Sequence, residues 1–440
     1  MKAEDFSKLQ TTPPVLQKAV LTDIVLPKKY LSKISSNPMR KKYSRFFSGD
    51  NLEVMDQLLR DGYRNSFDLI YIDPPYLTQT SYSHQVNVND GKPIEQTSYS
   101  DVWKNNDEYL AMLRPRLMRM KELLKDTGSI FVHLDWRISH YVKILLDEVF
   151  GNQSFRNEII WCYYGPSSPK ARQFSRKHQS IFWYSKSLNN WQFFPENVRV
   201  PYSRTTLQKI NSRRNGFAGS VYDFSRGKIP EDWWSDIPLT QRYRHEVANF
   251  QTQKPKKLLE RIISSTTREG DLVGDFFAGS GTTAVVAEEL NRKWISCDTS
   301  SLSLKICKSR LFPVLKKPFL VEKLNNTSAK TAYSVEAFFN KKHTSIKSLS
   351  VRLRKVKIKK NKRVLRSSSI SPYSFIDSWA IDWNHSGNVF RAEWEDLRRV
   401  NSIPVTYEIK KKYSLNANLS QKIAVKIVDI FGNEMIRAFK

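Results

Sequence analysis

From Tyr43 to Phe312, short apolar runs alternate with amphipathic segments, and this restricts the possible folds more than any other feature of the chain. YSRFFSGD reads as a short strand ending in a turn, and NLEVMDQLLRDG has apolar residues at helical spacing up to Gly62. FDLIYI reads as a buried strand that stops at Pro74 and Pro75, which cannot continue a hydrogen-bonded ladder. DEYLAMLRPRLMRMKELLKDTG is expected to be a helix interrupted by Pro115 and ending at Gly128, followed by the strand GSIFVHLD and the helix ISHYVKILLDEVFG. Strands alternating with helices predict a parallel sheet with helices on both faces. FRNEIIWCYY and HQSIFWYSKS fit a hairpin at the sheet edge. The alternation lapses over 187–250, where Trp191, Trp233, Trp234 and many Arg point to an inserted domain. Trp233 and Trp234 are open to a core or a surface role. It returns with KPKKLLERIISST, the strand LVGDFF, a glycine-rich loop, the helix TTAVVAEEL, the strand KWISCD and the helix SLSLKICKSRLF. Residues 1–43 hold Pro13, Pro14, Pro27 and Pro38 and read as an irregular arm. Residues 316–440 read as a small β-rich C-terminal domain, and 341–366 hold twelve Lys or Arg and no acid. VRLRKVKIKK within that stretch fits either an exposed strand or an unfolded arm.

The formal charge is +29, with 72 Lys and Arg against 43 Asp and Glu, which opposes compaction unless a polyanion offsets it. Together with the many Trp and Tyr, it points to nucleic acid. No apolar run reaches the length of a membrane span, and MKAEDFSKLQ lacks the apolar region of a signal peptide. Cys162, Cys297 and Cys307 form no CxxC pair, and the seven His show no ligand spacing, so no disulfide framework or metal site is expected. These features fit a reduced, soluble, cytoplasmic protein.

The chain has only fifteen glycines, yet Gly274, Gly279 and Gly281 fall within GDFFAGSGTT, between a strand and a helix. Glycine there lets backbone approach a ligand closely. No lysine follows Gly281, which excludes a phosphate-binding GxxxxGK[ST] loop. Asp275 ends one strand and Asp298 the next, where a carboxylate can accept hydrogen bonds from ribose hydroxyls. An adenosine-bearing cofactor is therefore favoured, although Asp298 could instead cap the following helix.

DPPY at 73–76 closes a buried strand at its carboxyl end. The Asp73 carboxylate and the Pro74 carbonyl are both acceptors, held in place by a double proline. Two fixed acceptors suit an exocyclic amine, and accepting both of its hydrogens would localise the nitrogen lone pair. Asp73 can also stabilise the charge that develops there. Tyr76 offers a ring on which a base could stack. The competing reading is a rigid loop whose Asp bonds only to backbone amides.

With DPPY ahead of FAGSGTT, the chain resembles the S-adenosylmethionine-dependent amino-methyltransferases of DNA in the circularly permuted order called the beta class. The resemblance covers roughly 44–312 and includes SGDNLEVM, GSIFVHLDW, SRKHQSIFWYSK and TQKPKKLLERII. It looks closest to type III restriction modification subunits. It implies a circularly permuted Rossmann-like α/β sheet, divided into an arm at 1–43, a catalytic half at 44–186, a target-recognition region at 187–250, a cofactor half at 251–315 and a basic linker with a β-rich domain at 316–440. It implies catalytic roles for Asp73, Pro74, Pro75 and Tyr76. S-adenosyl-L-methionine would meet Asp275, Phe277, Ala278, Gly279, Ser280, Gly281 and Thr282. Asp298 would take its ribose, Asp50 its adenine, and Thr252 and Lys254 its methionine end. Phe276 departs from the family, which often has Pro there.

The first residue of the catalytic motif is more often Asp with N6-adenine and Ser with N4-cytosine, so the resemblance implies adenine. The expected partner is double-stranded DNA, with a homodimer and a restriction nuclease–helicase subunit left open. Arg204, Arg213, Arg214, Arg226, Arg242, Arg244, Lys357, Lys359 and Lys360 are the candidate DNA contacts. The rival readings are an N4-cytosine enzyme, an RNA amino-methyltransferase, and a non-catalytic DNA-binding subunit with a degenerate core.

Overall fold

The computed structural model describes residues 19–27, 40–86, 94–165, 172–206, 224–243, 245–248, 250, 252–324, 334–339, 348–357, 376–385, 387, 389–398, 408–412, 422–430 and 434–439. Its elements, in chain order, begin with β1 (Val20–Val25), β2 (Ser44–Ser48), α1 (Asn51–Arg60), β3 (Phe67–Ile72), β4 (Thr80–Val86), β5 (Ile94–Asp101) and α2 (Asn106–Leu123). They continue with β6 (Leu124–Leu134), α3 (Ser139–Phe150), β7 (Phe155–Cys162), β8 (His178–Ser185), β9 (Trp233–Trp234), α4 (Lys256–Thr266), β10 (Leu272–Asp275), α5 (Thr282–Glu289), β11 (Lys293–Asp298) and α6 (Ser301–Leu311). The rest are strands: β12 (Phe319–Lys323), β13 (Ser334–Phe339), β14 (Ser348–Lys357), β15 (Ile376–His385), β16 (Phe390–Ala392), β17 (Trp394–Leu397), β18 (Glu408–Lys412), β19 (Lys422–Asp429) and β20 (Glu434–Phe439).

The main sheet runs β16-β1-β12-β2-β11-β10-β3-β6-β8-β7-β9, and its middle six strands, β12 to β6, are all parallel. Successive side chains of a strand face opposite sides. Ile70 and Ile72 therefore join α1, α2 and α3 in one core, while Leu69 and Tyr71 join α4, α5 and α6 in the other. This is the doubly covered α/β sheet that the alternation predicts. As expected, β7 and β8 form an antiparallel hairpin at the edge. β9 adds to β7 and divides the roles of the two tryptophans: Trp234 is buried and Trp233 is exposed.

Three boundaries differ from the sequence reading. The supposed irregular arm contains β1, which pairs with β12 and buries Ile24 and Val25. The helix expected to run to Gly128 ends at Leu123, because Leu124 already pairs with Phe67. Pro115 does not interrupt α2. The neighbouring Arg116 donates from Nη1 to the Met112 carbonyl at 2.8 Å, one residue beyond the Ala111 carbonyl that the proline cannot reach with an N–H.

C-terminal strands form two antiparallel sheets, β13-β14-β18 and β17-β15-β19-β20. The second is tied to the main sheet by charge. Lys426 donates to both Asp23 carboxylate oxygens at 2.7 and 2.9 Å, while Lys305 and Lys308 of α6 reach Asp377 and Glu395. Among the described residues, no helix is long and apolar enough to cross a membrane.

Candidate active site

The strand order explains why two distant loops meet. From β3 the chain proceeds to β6 on one side, and from β10 to β11 on the other, so the boundary between β10 and β3 is the switch point of the sheet. Ligands of open α/β sheets bind outside the carboxyl ends of the strands at such a point. DPPY leaves β3 there, and the glycine-rich loop leaves the adjacent β10. Both line one cavity of about 570 Å³. Asp73, Pro74, Pro75 and Tyr76 contribute to it, as do Asp50, Thr252, Lys254, Asp275, Phe277, Ala278, Gly279, Ser280, Thr282 and Asp298. Gly281, alone among the expected cofactor residues, is absent from the lining.

Gly281 has a different task. It starts α5 in the left-handed region at φ 72°, and a Cβ there would lie 2.5 Å from Cys307 Sγ. The glycine thus lets α5 and α6 pack closely. Arg310 of α6 supports the same loop, donating from Nη1 to the Ser280 carbonyl (2.8 Å), Ser280 Oγ (3.0 Å) and Thr282 Oγ1 (2.8 Å). Gly279, at φ 49°, faces the Phe250 ring across the cavity wall.

Asp298 does not cap α6 with its side chain. Ser300 occupies the cap position, and the Asp298 carboxylate accepts Ser300 N and Gly279 N, both at 2.8 Å. It therefore fastens the glycine-rich loop to the end of β11. Asp50 caps α1, accepting Leu52 N at 2.9 Å, and also pairs with Arg116 Nη2 at 2.7 Å. Asn51 links this corner to the next by donating to the Phe276 carbonyl at 2.6 Å. Phe276 itself is buried and packs in the core against Phe67, with ring centroids 5.8 Å apart, where it backs the wall of the cavity at the position of the family's Pro.

Two donors reach Asp73. Lys254 Nζ donates to Oδ2 at 2.6 Å, and the Tyr76 hydroxyl donates to Oδ1. A carboxylate offers about four acceptor positions, so two remain for a ligand. Lys254 joins the two halves of the site, because its carbonyl accepts from Thr282 Oγ1 at 3.2 Å. Its ammonium also lies 5.1 Å from the centre of the Tyr76 ring. Beneath Tyr76, His133 is buried and bonded through Nδ1 to the Tyr71 hydroxyl at 2.8 Å, and burial holds its pKa well below the usual histidine value.

Burial raises the Asp275 carboxyl to about 7, against the opposing hydrogen bonds from Thr283 and the Phe277 N–H. A raised acid pKa makes the folded state hold a proton that the unfolded chain has released. Stability should therefore fall as pH rises from the ordinary carboxylate range toward 7, with a slope of at most about 1.4 kcal/mol per pH unit. Denaturant melts between pH 4 and 7 should show a flatter slope in Asp275→Asn than in wild type.

Several lining residues carry no clear signal in the sequence: Asp101, Trp103, Thr78, Met112, Arg116, Phe250 and Ser300. Asn51 does, since it follows Asp50 in SGDNLEVM. Of the candidate DNA contacts, Arg204 and Arg242 are exposed and lie outside the cavity lining, and Arg226 pairs with Glu196. Lys357 ends β14, and only its backbone is described. Arg213, Arg214, Arg244, Lys359 and Lys360 lie outside the described residues. The start of the 187–250 segment is held at the opposite end of the strands, where Gln192 N donates to the Thr127 carbonyl and Phe194 N to that of Ser265. Its last residues return to the cavity at Phe250.

The family model described as DNA methylase (N6_N4_Mtase) matches residues 67–309, which include both loops. The chain belongs to this DNA methylase family. It is 30% identical over 247 residues to the type II methyltransferase M.HpaI of Haemophilus parainfluenzae, covering 56% of this chain and 68% of that one. It is 27% identical over 248 residues to the DNA adenine methyltransferase YhdJ of Escherichia coli K12, covering 56% of this chain and 76% of that one. Among solved structures it is similar to the M1.HpyAVI–SAM complex, with a TM-score of 0.40, 20% identity, and coverage of 61% of this chain and 98% of that one. The cofactor of this methylase is S-adenosylmethionine. The cavity suits it in kind: glycine-rich backbone, the Asp298 and Asp50 carboxylates, and aromatic walls at Phe277 and Phe250.

Proposed function

We propose that this methylase transfers a methyl group to the N6 amine of an adenine flipped out of duplex DNA, in the setting of restriction-modification. The observation that carries this reading is the single cavity at the β10/β3 boundary, lined by both Asp73 and the glycine-rich loop. Phe277, Ala278, Gly279, Ser280 and Thr282 hold the cofactor, with Asp298 at the ribose, Asp50 near the adenine, and Thr252 and Lys254 toward the methionine end. When bound, the cofactor supplies an electrophilic methyl group on a sulfonium.

The chain's own residues do the rest. Asp73 and the Pro74 carbonyl accept the two amine hydrogens and localise the nitrogen lone pair. The Asp73 carboxylate stabilises the positive charge that grows on that nitrogen, in a cavity where a fixed charge counts for more than in water. Pro74 and Pro75 fix these acceptors in advance, so orientation contributes much of the acceleration. Tyr76 provides the ring against which the extrahelical base lies. Adenine is favoured over cytosine by the Asp that opens the motif and by the similarity to a DNA adenine methyltransferase. Arg204, Arg213, Arg214, Arg242 and Arg244, with Lys357, Lys359 and Lys360, serve the DNA backbone and grooves. A homodimer and a nuclease–helicase subunit are the protein partners this reading suggests.

The test uses the full chain, S-adenosylmethionine labelled in its methyl group, and duplex DNA of random sequence. Label in acid-insoluble DNA supports the reading. Label entering structured RNA but not duplex DNA would overturn it.

A further inference from the structure

Resting on that function, we propose that Asp101 is the positioning residue of the catalytic loop: it holds Tyr76 and the two residues after it in the conformation that methyl transfer needs. The Asp101 side chain is buried at the junction of β5 with the cavity wall. Its carboxylate takes five donors. Oδ2 accepts Tyr76 N at 3.0 Å, Thr78 N at 2.9 Å and Thr78 Oγ1 at 2.7 Å, and Oδ1 accepts Leu77 N and Trp103 Nε1, both at 3.0 Å. Three successive backbone amides directly after the double proline are thereby turned onto one buried charge.

The loop needs such a clamp. Leu77 and Gln79 both adopt the left-handed region, at φ 58° and 56°. Residues with a Cβ are strained there and persist only where their surroundings impose it. The clamp is closed from the other side by Gln79. Its Nε2 donates to the Trp103 carbonyl at 2.7 Å, its Oε1 accepts Trp103 N at 3.1 Å, and its own N–H donates to the Asp101 carbonyl at 3.0 Å. Trp103 packs edge-on against Tyr109 of α2, with centroids 5.4 Å apart, which anchors the whole clasp to the core.

Asp101 touches neither Asp73 nor the Tyr76 hydroxyl. It acts through the backbone, fixing where the Tyr76 ring and its bond to Asp73 fall. It also joins the base of the β4–β5 hairpin to the catalytic corner, since Thr80 pairs with Asp101 in that hairpin.

Asp101→Asn is the decisive variant, because its amide group would face N–H donors with a donor of its own. Three measurements are made on it: hydrogen exchange at the amides of Tyr76, Leu77 and Thr78, cofactor affinity by calorimetry, and kcat with labelled cofactor and DNA. We expect the three amides to lose protection and kcat to fall by about 100-fold, the scale of a small misplacement of reacting groups, while cofactor affinity stays near wild type and melting temperature falls by a few degrees. Trp103→Phe, which removes one donor at the rim, should give a smaller loss of kcat. Unchanged kcat in Asp101→Asn despite lost amide protection would overturn the positioning role, as would parallel losses of cofactor affinity, melting temperature and kcat in both variants. A wild-type protein that methylates no DNA would contradict the proposed function instead, and the exchange measurement would still report on the clamp.

Discussion

Asp73→Ala should reduce methyl transfer to DNA by about 1,000-fold, the upper range for removing one preorganised charge-stabilising group. With a methyl group in place of the carboxylate, one of the two acceptors for the amine is gone, and so is the negative charge opposite the developing cation. The variant should still bind S-adenosylmethionine, because the glycine-rich loop is held by Asp298, Arg310 and Asn51 and not by Asp73. Lys254 loses its 2.6 Å partner, so a modest fall in melting temperature should accompany the loss. Asp73→Asn separates the two effects: it keeps an acceptor oxygen but not the charge, and should fall between wild type and Asp73→Ala. Calorimetry with the cofactor and single-turnover methylation are the measurements. Wild-type turnover in Asp73→Ala would remove the carboxylate from the mechanism.

The second large effect is one of packing. Gly281→Val places a β-branched side chain at φ 72°, with its Cβ 2.5 Å from Cys307 Sγ. Backbone strain of about 1–3 kcal/mol and overpacking of about 1–3 kcal/mol act together, so a loss of about 3 kcal/mol or more is expected in a denaturant melt. The clash lies with the Sγ, Cβ and Cα atoms of α6, close to the chain backbone, so the sulfur cannot simply swing aside. Cofactor affinity should fall with it, since the displaced residues include Ser280 and Thr282 of the cavity wall. Shrinking the neighbour gives the internal control: Cys307→Ala in the Gly281→Val background should recover part of the lost stability, whereas Cys307→Ala alone should not stabilise.

Much of this architecture was legible from residue pattern. The parallel core, the edge hairpin and the meeting of DPPY with the glycine-rich loop follow from buried strands that alternate with amphipathic helices. What pattern could not supply were the contacts made between distant segments. Asp101 lies in a polar stretch, SYSDVWKNND, whose composition resembles any loop, and its importance appears only when Tyr76, Leu77 and Thr78 fold back onto it. Gly281 sits in the motif that signals a cofactor, yet its glycine is required by a cysteine 26 positions later. The arm at 1–43 looked irregular because its prolines flank β1, which gains its partners only from β12 and β16 far along the chain. Helix α2 ran long in the sequence reading for a related reason: Leu124 would extend the helix by propensity, but pairing with Phe67 claims it for the sheet.

The most direct measurement is the identity of the methylated nucleoside. Duplex DNA incubated with the full chain and S-adenosylmethionine is digested to nucleosides and resolved by mass spectrometry. Accumulation of N6-methyladenine that vanishes in Asp73→Ala is the predicted result. N4-methylcytosine, or no methylated nucleoside while the wild-type protein binds the cofactor, would contradict it.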